Sequence, residues 1–434
     1  MTERVYLHVG TPKSGTTYLQ RVLDQNRERL AAAGVLVVGE RHVDRVHAAL
    51  VLREDPRVST LSARQAQSWQ RLVAQIRAWD GPSAVLSYEL FSAATREQAE
   101  RALTDLAGLD VHVVITARDF GKMVPSAWQE RLKFGLTTPL GQWRPAREKA
   151  DPRREWGWRT MDPASVAERW GASLGPDHVH VVTVPRERRD PDELWHRFAA
   201  ACDLTATSDD LNLGVGLVNE SLGVTAAELL RRVNERIGPP IEGSREQAKW
   251  LRDTLAHGVL ARLGSEPIQI NDRQLDDAQR QATRSVQRVD EAGYDVRGDL
   301  DDLAPSRGAG RSPEDVTDAE LLDTALDTIV QLLLLVRERS QGGGVPADAD
   351  VEGGRLRRVA RAAAQRTSAP YLRHRAAASE RRIAELEQIV AADRALHLRV
   401  AALQDVVTEL LLPLGDRDAE VTGQALKRYH RDSV

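Results

Sequence analysis

The sequence predicts an α/β fold: a three-layer sandwich on a central parallel sheet, extended at its C-terminus by helices of coiled-coil character. Three observations carry this. Short, near-continuous runs of Val, Ile and Leu recur at 5–10, 35–38, 84–88, 111–117 and 178–184, as in strands buried on both faces. The stretches between them are long enough for helices, which suits right-handed crossovers between parallel strands. The tail then changes character, with a Gly/Pro/Asp-rich break followed by charged and heptad-like helix.

The first run ends in "HVGTPKSGTTYLQ", His8 to Gln20. Beyond it, Leu19, Val22, Leu23 and Leu30 form one helical stripe that stops at Gly34, a favoured C-terminal residue. Asp162-Pro163 and Asp190-Pro191 each set a capping side chain before a proline suited to the first helical position, and Thr225 with Glu228 makes a capping-box pattern. Helices are expected to start at all three. The α/β domain is expected over 1–263, with a charged helical continuation over 264–340. "QGGGVPADADVEGG", 341–354, reads as a linker. Region 355–414 opens with arginines such as Arg355, Arg361, Arg373 and Arg382, which read as a solvated helical face that also suits a peripheral anionic membrane. It continues with Ile383, Leu386, Val390, Val400, Leu403, Val407 and Leu410 at coiled-coil spacing, a route to self-association. Residues 415–434 read as a disordered tail.

Sixty Lys and Arg against 64 Asp and Glu give a net charge of −4, which argues against a globally basic nucleic-acid binder. The single cysteine, Cys202, rules out a disulfide framework. "MTERVYLHVG" lacks the basic and apolar segments of a secretion signal, and no run approaches about 18 apolar residues. A cytoplasmic location is expected. His178 and His180 share a strand face without a third ligand in sequence, so no metal is expected.

The loop after the first strand raises a specific question. Read as a phosphate loop, Gly10 and Gly15 are its glycines and Thr17 its terminal hydroxyl residue, but Thr16 stands where a triphosphate-binding loop has its lysine. The ammonium has moved to Lys13, on the crest. Backbone N–H groups at the helix start, the helix dipole and the hydroxyls of Ser14, Thr16 and Thr17 favour an anion, and Pro12 stiffens the turn. A donor with one 5′-phosphate and one transferable group fits Lys13 better than ATP does.

Pro12 to Thr17, "PKSGTT", resembles the 5′-phosphosulfate loop of sulfotransferases that use 3′-phosphoadenosine 5′-phosphosulfate (PAPS), a family with a P-loop NTPase-like fold. In that family an Arg at a later strand end and a Ser after it hold the donor's 3′-phosphate; Arg118 and Ser126 in "ARDFGKMVPSAWQ" match that spacing. Independently, Arg118 ends a buried strand, and Pro125 suits a first helical turn that would put Ser126 at a second anion-binding N-terminus. The resemblance implies donor contacts from Thr11, Pro12, Lys13, Ser14, Gly15, Thr16 and Thr17, with Arg118 and Ser126. The family's basic glycine-containing loop is replaced by "LGVGLVNESLG", 213–223, with Asn219 and Ser221 as candidate contacts. This departure points to a bacterial-type branch acting on a hydroxyl of a carbohydrate, glycolipid or secondary metabolite.

Sulfuryl transfer needs an oxygen nucleophile, a base and positive charge on the leaving phosphate, but no metal. Lys13 is the expected charge stabiliser. Glu89, directly after "AVLSY", is the expected base, at a position similar to that of the glutamate bases in carbohydrate- and tyrosine-modifying members. His47 is the second candidate base and His8 the third. Trp128 reads as a core residue, with Lys133 further along the same helix. Two rivals stay open: a P-loop kinase using ATP-Mg²⁺ with "AVLSYE" as its second motif, and a catalytically decayed α/β domain on a coiled-coil scaffold.

Overall fold

The computed structural model describes residues 2–146, 156–187, 190–204, 211–215, 221–238, 241–264 and 266–341. Chain contacts divide the protein into Met1–Gly342 and Gly343–Val434, and the described residues all belong to the first unit. The basic and coiled-coil segments and the tail expected beyond 354 lie outside the described residues.

All five apolar runs form strands: β1 Arg4–Gly10, β2 Val35–Val37, β3 Ser83–Ser87, β4 Asp110–Ala117 and β5 Val179–Thr183. A sixth, β6 Asp295–Arg297, comes from the segment expected to be helical. The strands pair in parallel in the order β2-β3-β1-β4-β5-β6. Strand β1 is thus flanked by β3 and β4, and their carboxyl ends meet at the crevice where open α/β sheets carry ligands.

Both faces of the sheet are covered, which is why the strands read as unbroken apolar runs. Val5, Leu7 and Val9 pack with Leu86 and Val113 against helices that include His42–Leu52, Ser68–Arg77 and Pro163–Trp170. Tyr6, Val85, Val114 and Val182 face the other way, against Thr16–Gln25 and Glu193–Ala201. A further apolar cluster surrounds Phe120–Leu132, Val224–Arg236 and Asp272–Glu291. In the last helix, Asp318–Gln341, Leu322, Leu326, Ile329 and Leu333 are exposed.

Local signals met different fates. Asp162 caps Pro163–Trp170 by accepting from the Ala164 N–H at 2.9 Å, as expected. At Asp190 the side chain accepts from the Asp192 N–H at 2.9 Å, forming a turn, and the helix starts only at Glu193. Thr225 lies inside Val224–Arg236, whose N-cap is Gly223 without a side-chain cap bond; the Glu228 carboxylate is taken by Arg231 and Arg232. The stripe after the loop is two helices, Thr16–Gln25 and Arg27–Ala32. They break at Asn26, whose amide donates to the Val22 carbonyl.

The largest correction concerns Pro125. The helix starts at Phe120, because the Asp119 carboxylate accepts from the N–H groups of Gly121 and Lys122, so Pro125 and Ser126 lie inside it. Asp119 also accepts from the backbone N–H and hydroxyl of Ser306, drawing that segment onto the first turn. The contact is possible only at glycine, since a Cβ on Gly121 would sit 2.1 Å from the Ser306 carbonyl oxygen. Gly121→Ala is expected to cost about 1–3 kcal/mol by overpacking. Urea unfolding reads this as a lowered midpoint; an unchanged midpoint would show that the Ser306 segment does not press on this turn.

Candidate functional site

The loop between β1 and Thr16–Gln25 is held down by a buried chain of hydrogen bonds whose direction can be deduced. The Thr11 N–H and hydroxyl both donate to the Thr116 carbonyl, at 2.9 and 3.0 Å. The Ser14 hydroxyl donates to the Thr11 carbonyl, which has no proton to offer, so in the Ser14–Thr116 hydroxyl pair Thr116 is the donor. Thr116 Oγ1 then accepts from His8 Nε2 at 3.2 Å, and His8 Nδ1 accepts from the Ser87 hydroxyl at 2.7 Å. His8 is therefore a neutral Nε2–H tautomer, fully buried with both nitrogens occupied. Burial holds its pKa down at about 3. It supports the loop and does not reach an acceptor hydroxyl, so the third candidate base is withdrawn.

Above this relay, Lys13 adopts a left-handed backbone with φ 66°, a conformation that residues other than glycine adopt rarely. Its carbonyl accepts from Arg118 at 3.1 Å, which sets the strand-end guanidinium against the crest. Helix Thr16–Gln25 begins at Gly15 with no side-chain cap bond and no acidic residue in its first turn. By construction its first N–H groups have no partner within the helix. Thr11, Pro12, Ser14 and Thr16 are buried, while Lys13 and Gly15 are partly open and Thr17 is exposed. The result is a positively polarised helix start at the carboxyl edge of the sheet.

Glu89 follows β3 at the same edge. A Cβ at Gly10, where φ is +125°, would lie 2.7 Å from the Glu89 carbonyl oxygen, so the glycine lets the segment after β3 close onto the loop. The Glu89 carboxylate accepts from Gln20 of the following helix at 2.8 Å. The second candidate base, His47, instead faces Asp44, Arg41 and Arg71. The histidine beside Glu89 is His42, whose ring meets Tyr88 edge-on at 5.5 Å. Burial and then Arg45 lower its pKa, while Glu89 raises it. A histidine at the start of an amphipathic helix gave no sign of this in sequence.

Sequence reasoning also missed Glu130. Its carboxylate accepts from Lys13 at 2.9 Å and from the buried Lys133 at 2.8 Å. Burial pushes its pKa up, but the two ammonium groups prevail and hold it at about 2. Trp128 is fully buried and donates to the Thr138 carbonyl, in keeping with a core role. Ser126 is partly exposed within the helix, not at its start. Ser221 is exposed, and Asn219 lies outside the described residues.

At the opposite, amino edge of the sheet, the expectation that His178 and His180 lack further ligands is corrected: Asp110 and His112 stand beside them.

A family model described as a domain of unknown function, DUF6752, matches residues 379–433, which include most of the segment expected as a frayed tail. No curated protein and no solved structure matches the chain. Among the described residues, no helix is long and apolar enough to cross a membrane.

Two acid-range outcomes follow. His8 has a folded pKa below its ordinary value of 6.5, so its contribution to stability is present above about pH 6.5 and is lost as pH falls toward about 3. Imidazole ¹⁵N shifts should show an Nε2–H ring that does not titrate between pH 7 and about 4; a protonation midpoint near 6 in the folded protein would refute the relay. Glu130→Gln leaves Lys133 buried without its carboxylate and should destabilise by about 3–5 kcal/mol at neutral pH. The gap to wild type should narrow as pH falls from about 4.5 toward about 2, and a pH-independent gap in urea melts would contradict the charge assignment.

Proposed function

We propose that the chain is a PAPS-dependent sulfotransferase on a P-loop NTPase-like core, acting in the cytoplasm on a hydroxyl of a carbohydrate, glycolipid or small-molecule acceptor. The observation that carries the reading is an uncapped helix start under a PKSGTT loop whose crest bears Lys13 and rests on Arg118. Such a site matches a phosphosulfate anion in charge and donor groups.

Each residue then has a role. Thr11 and Ser14 hold the loop's shape, while the first-turn N–H groups with Thr16 and Thr17 receive the 5′-phosphosulfate. Arg118 and Ser126 take the 3′-phosphate, with Ser221 and Asn219 as further donor contacts. The acceptor oxygen attacks sulfur in line, its proton passes to Glu89, and the bond from sulfur to the bridging oxygen breaks with the electron pair leaving on the 5′-phosphate. Lys13 meets the charge that develops on that oxygen. To do so it exchanges Glu130 for the donor, and Lys133 keeps the Glu130 carboxylate neutralised when it does. The C-terminal region is assigned to self-association.

Adenosine 3′,5′-bisphosphate at one hundred times its Kd should stabilise the protein by about 2.7 kcal/mol in thermal unfolding. Stabilisation by ATP-Mg²⁺ alone would favour the kinase. With labelled PAPS and a panel of glycans, glycolipids and phenols, Lys13→Ala should cost about 10²–10³ in turnover. Glu89→Gln should abolish transfer while keeping bisphosphate binding; wild-type turnover in that variant would move the base role to His42.

A further inference from the structure

A second cluster, far from the loop along the strands, is built by sheet register. Pairing of Arg4 with Asp110, Tyr6 with His112, Val113 with Val179, and His180 with both Val114 and Asp295 brings side chains of β1, β4, β5 and β6 together at the amino edge. The His112 and His178 rings stack at 4.6 Å, and those of His112 and His180 at 5.1 Å.

With neutral rings two protons serve the three contacts Asp110–His112, His112–His180 and His180–Asp295, and the shortest of them favours one direction. Asp295 accepts from His180 Nδ1 at 2.6 Å, which leaves His180 Nε2 as acceptor for His112 Nδ1 at 2.8 Å. His112 Nε2 then carries a lone pair, 3.3 Å from Asp110 Oδ2. Two acceptors then face each other unless a proton or a cation lies between them. His178 Nε2 lies 3.0 Å from the other carboxylate oxygen of Asp110. One ligand atom from each of Asp110, His112 and His178 falls within a 4.8 Å span. Tetrahedral zinc with bonds of about 2.0–2.1 Å separates its ligand atoms by about 3.4 Å.

We infer that Asp110, His112 and His178 form a binding site for a divalent late transition metal of the zinc type. Two imidazoles and a carboxylate suit zinc or cobalt rather than magnesium or calcium. His180 and Asp295 orient the His112 ring from behind, the arrangement that fixes the tautomer of metal-bound histidines. Arg4 donates to Asp110 Oδ2 at 2.9 Å and steadies the carboxylate. Asp110 and His178 also line a cavity of about 510 Å³ walled by Leu103, Leu106, Leu109 and Leu174. That space adjoins the site and leaves room for water or a small anion as a further ligand. The ion would fasten the start of β4 to the segment entering β5.

The test uses the full chain, stripped with a chelator and titrated with Co²⁺ and then Zn²⁺. One Co²⁺ per chain with tetrahedral d–d absorption, displaced by Zn²⁺, is expected. The His112→Gln/His178→Gln double variant and Asp110→Asn should lose the bands, His180→Gln should weaken binding about 10–100-fold, and His196→Gln, an exposed histidine elsewhere, should change nothing. Circular dichroism of the metal-free variants checks that they fold. Absence of d–d bands in the wild-type protein, or their persistence in either folded ligand variant, would overturn the site.

Discussion

A single buried hydrogen-bond relay, from Ser87 through His8 and Thr116 to Ser14, holds the candidate site in register with the sheet. It crosses β3, β1 and β4, whose carboxyl ends carry Glu89, the loop and Arg118. Each member is satisfied only while its neighbours stay in place. A typical bond of this kind contributes about 0.5–1.5 kcal/mol, but leaving a buried partner unpaired costs about 1–3 kcal/mol. The loop's shape is therefore tied to the packing of the central strands and does not wait for a ligand.

Charge at the site is poised rather than neutralised. Glu130 lies between two ammonium groups, one deeply buried at Lys133 and one partly open at Lys13. Lys133 stays beside the carboxylate within the helix, while Lys13, on the loop, is the more open of the two. The ion pair with Glu130 fixes the position of the Lys13 ammonium, which any anion at the loop would have to draw away.

Much of this was legible in the sequence where the signal was local. β1 to β5 announced themselves as apolar runs because both sheet faces are covered; β6, "DVR", is too short and polar to do so. The turn after β1 was legible because Gly10 and Gly15 supply the positive φ it requires. Pro125 misled, since the helix start is fixed by Asp119 and its contact with Ser306, far along the chain. Glu130, His42 and His112 were hard to read because one decisive neighbour of each, Lys13, Tyr88 and His180 respectively, is brought close by tertiary packing or strand register.

The two edges of the sheet carry a consequence for assembly. β2 and β6 are three residues each, and in β6 the charged pair Asp295 and Arg297 flanks a single valine. So short and charged an edge offers little unpaired backbone for a strand from another copy to extend. Growth of the sheet from β6 is thereby disfavoured, and the apolar groups left open to contact on the last helix are the side chains of Leu326, Ile329 and Leu333.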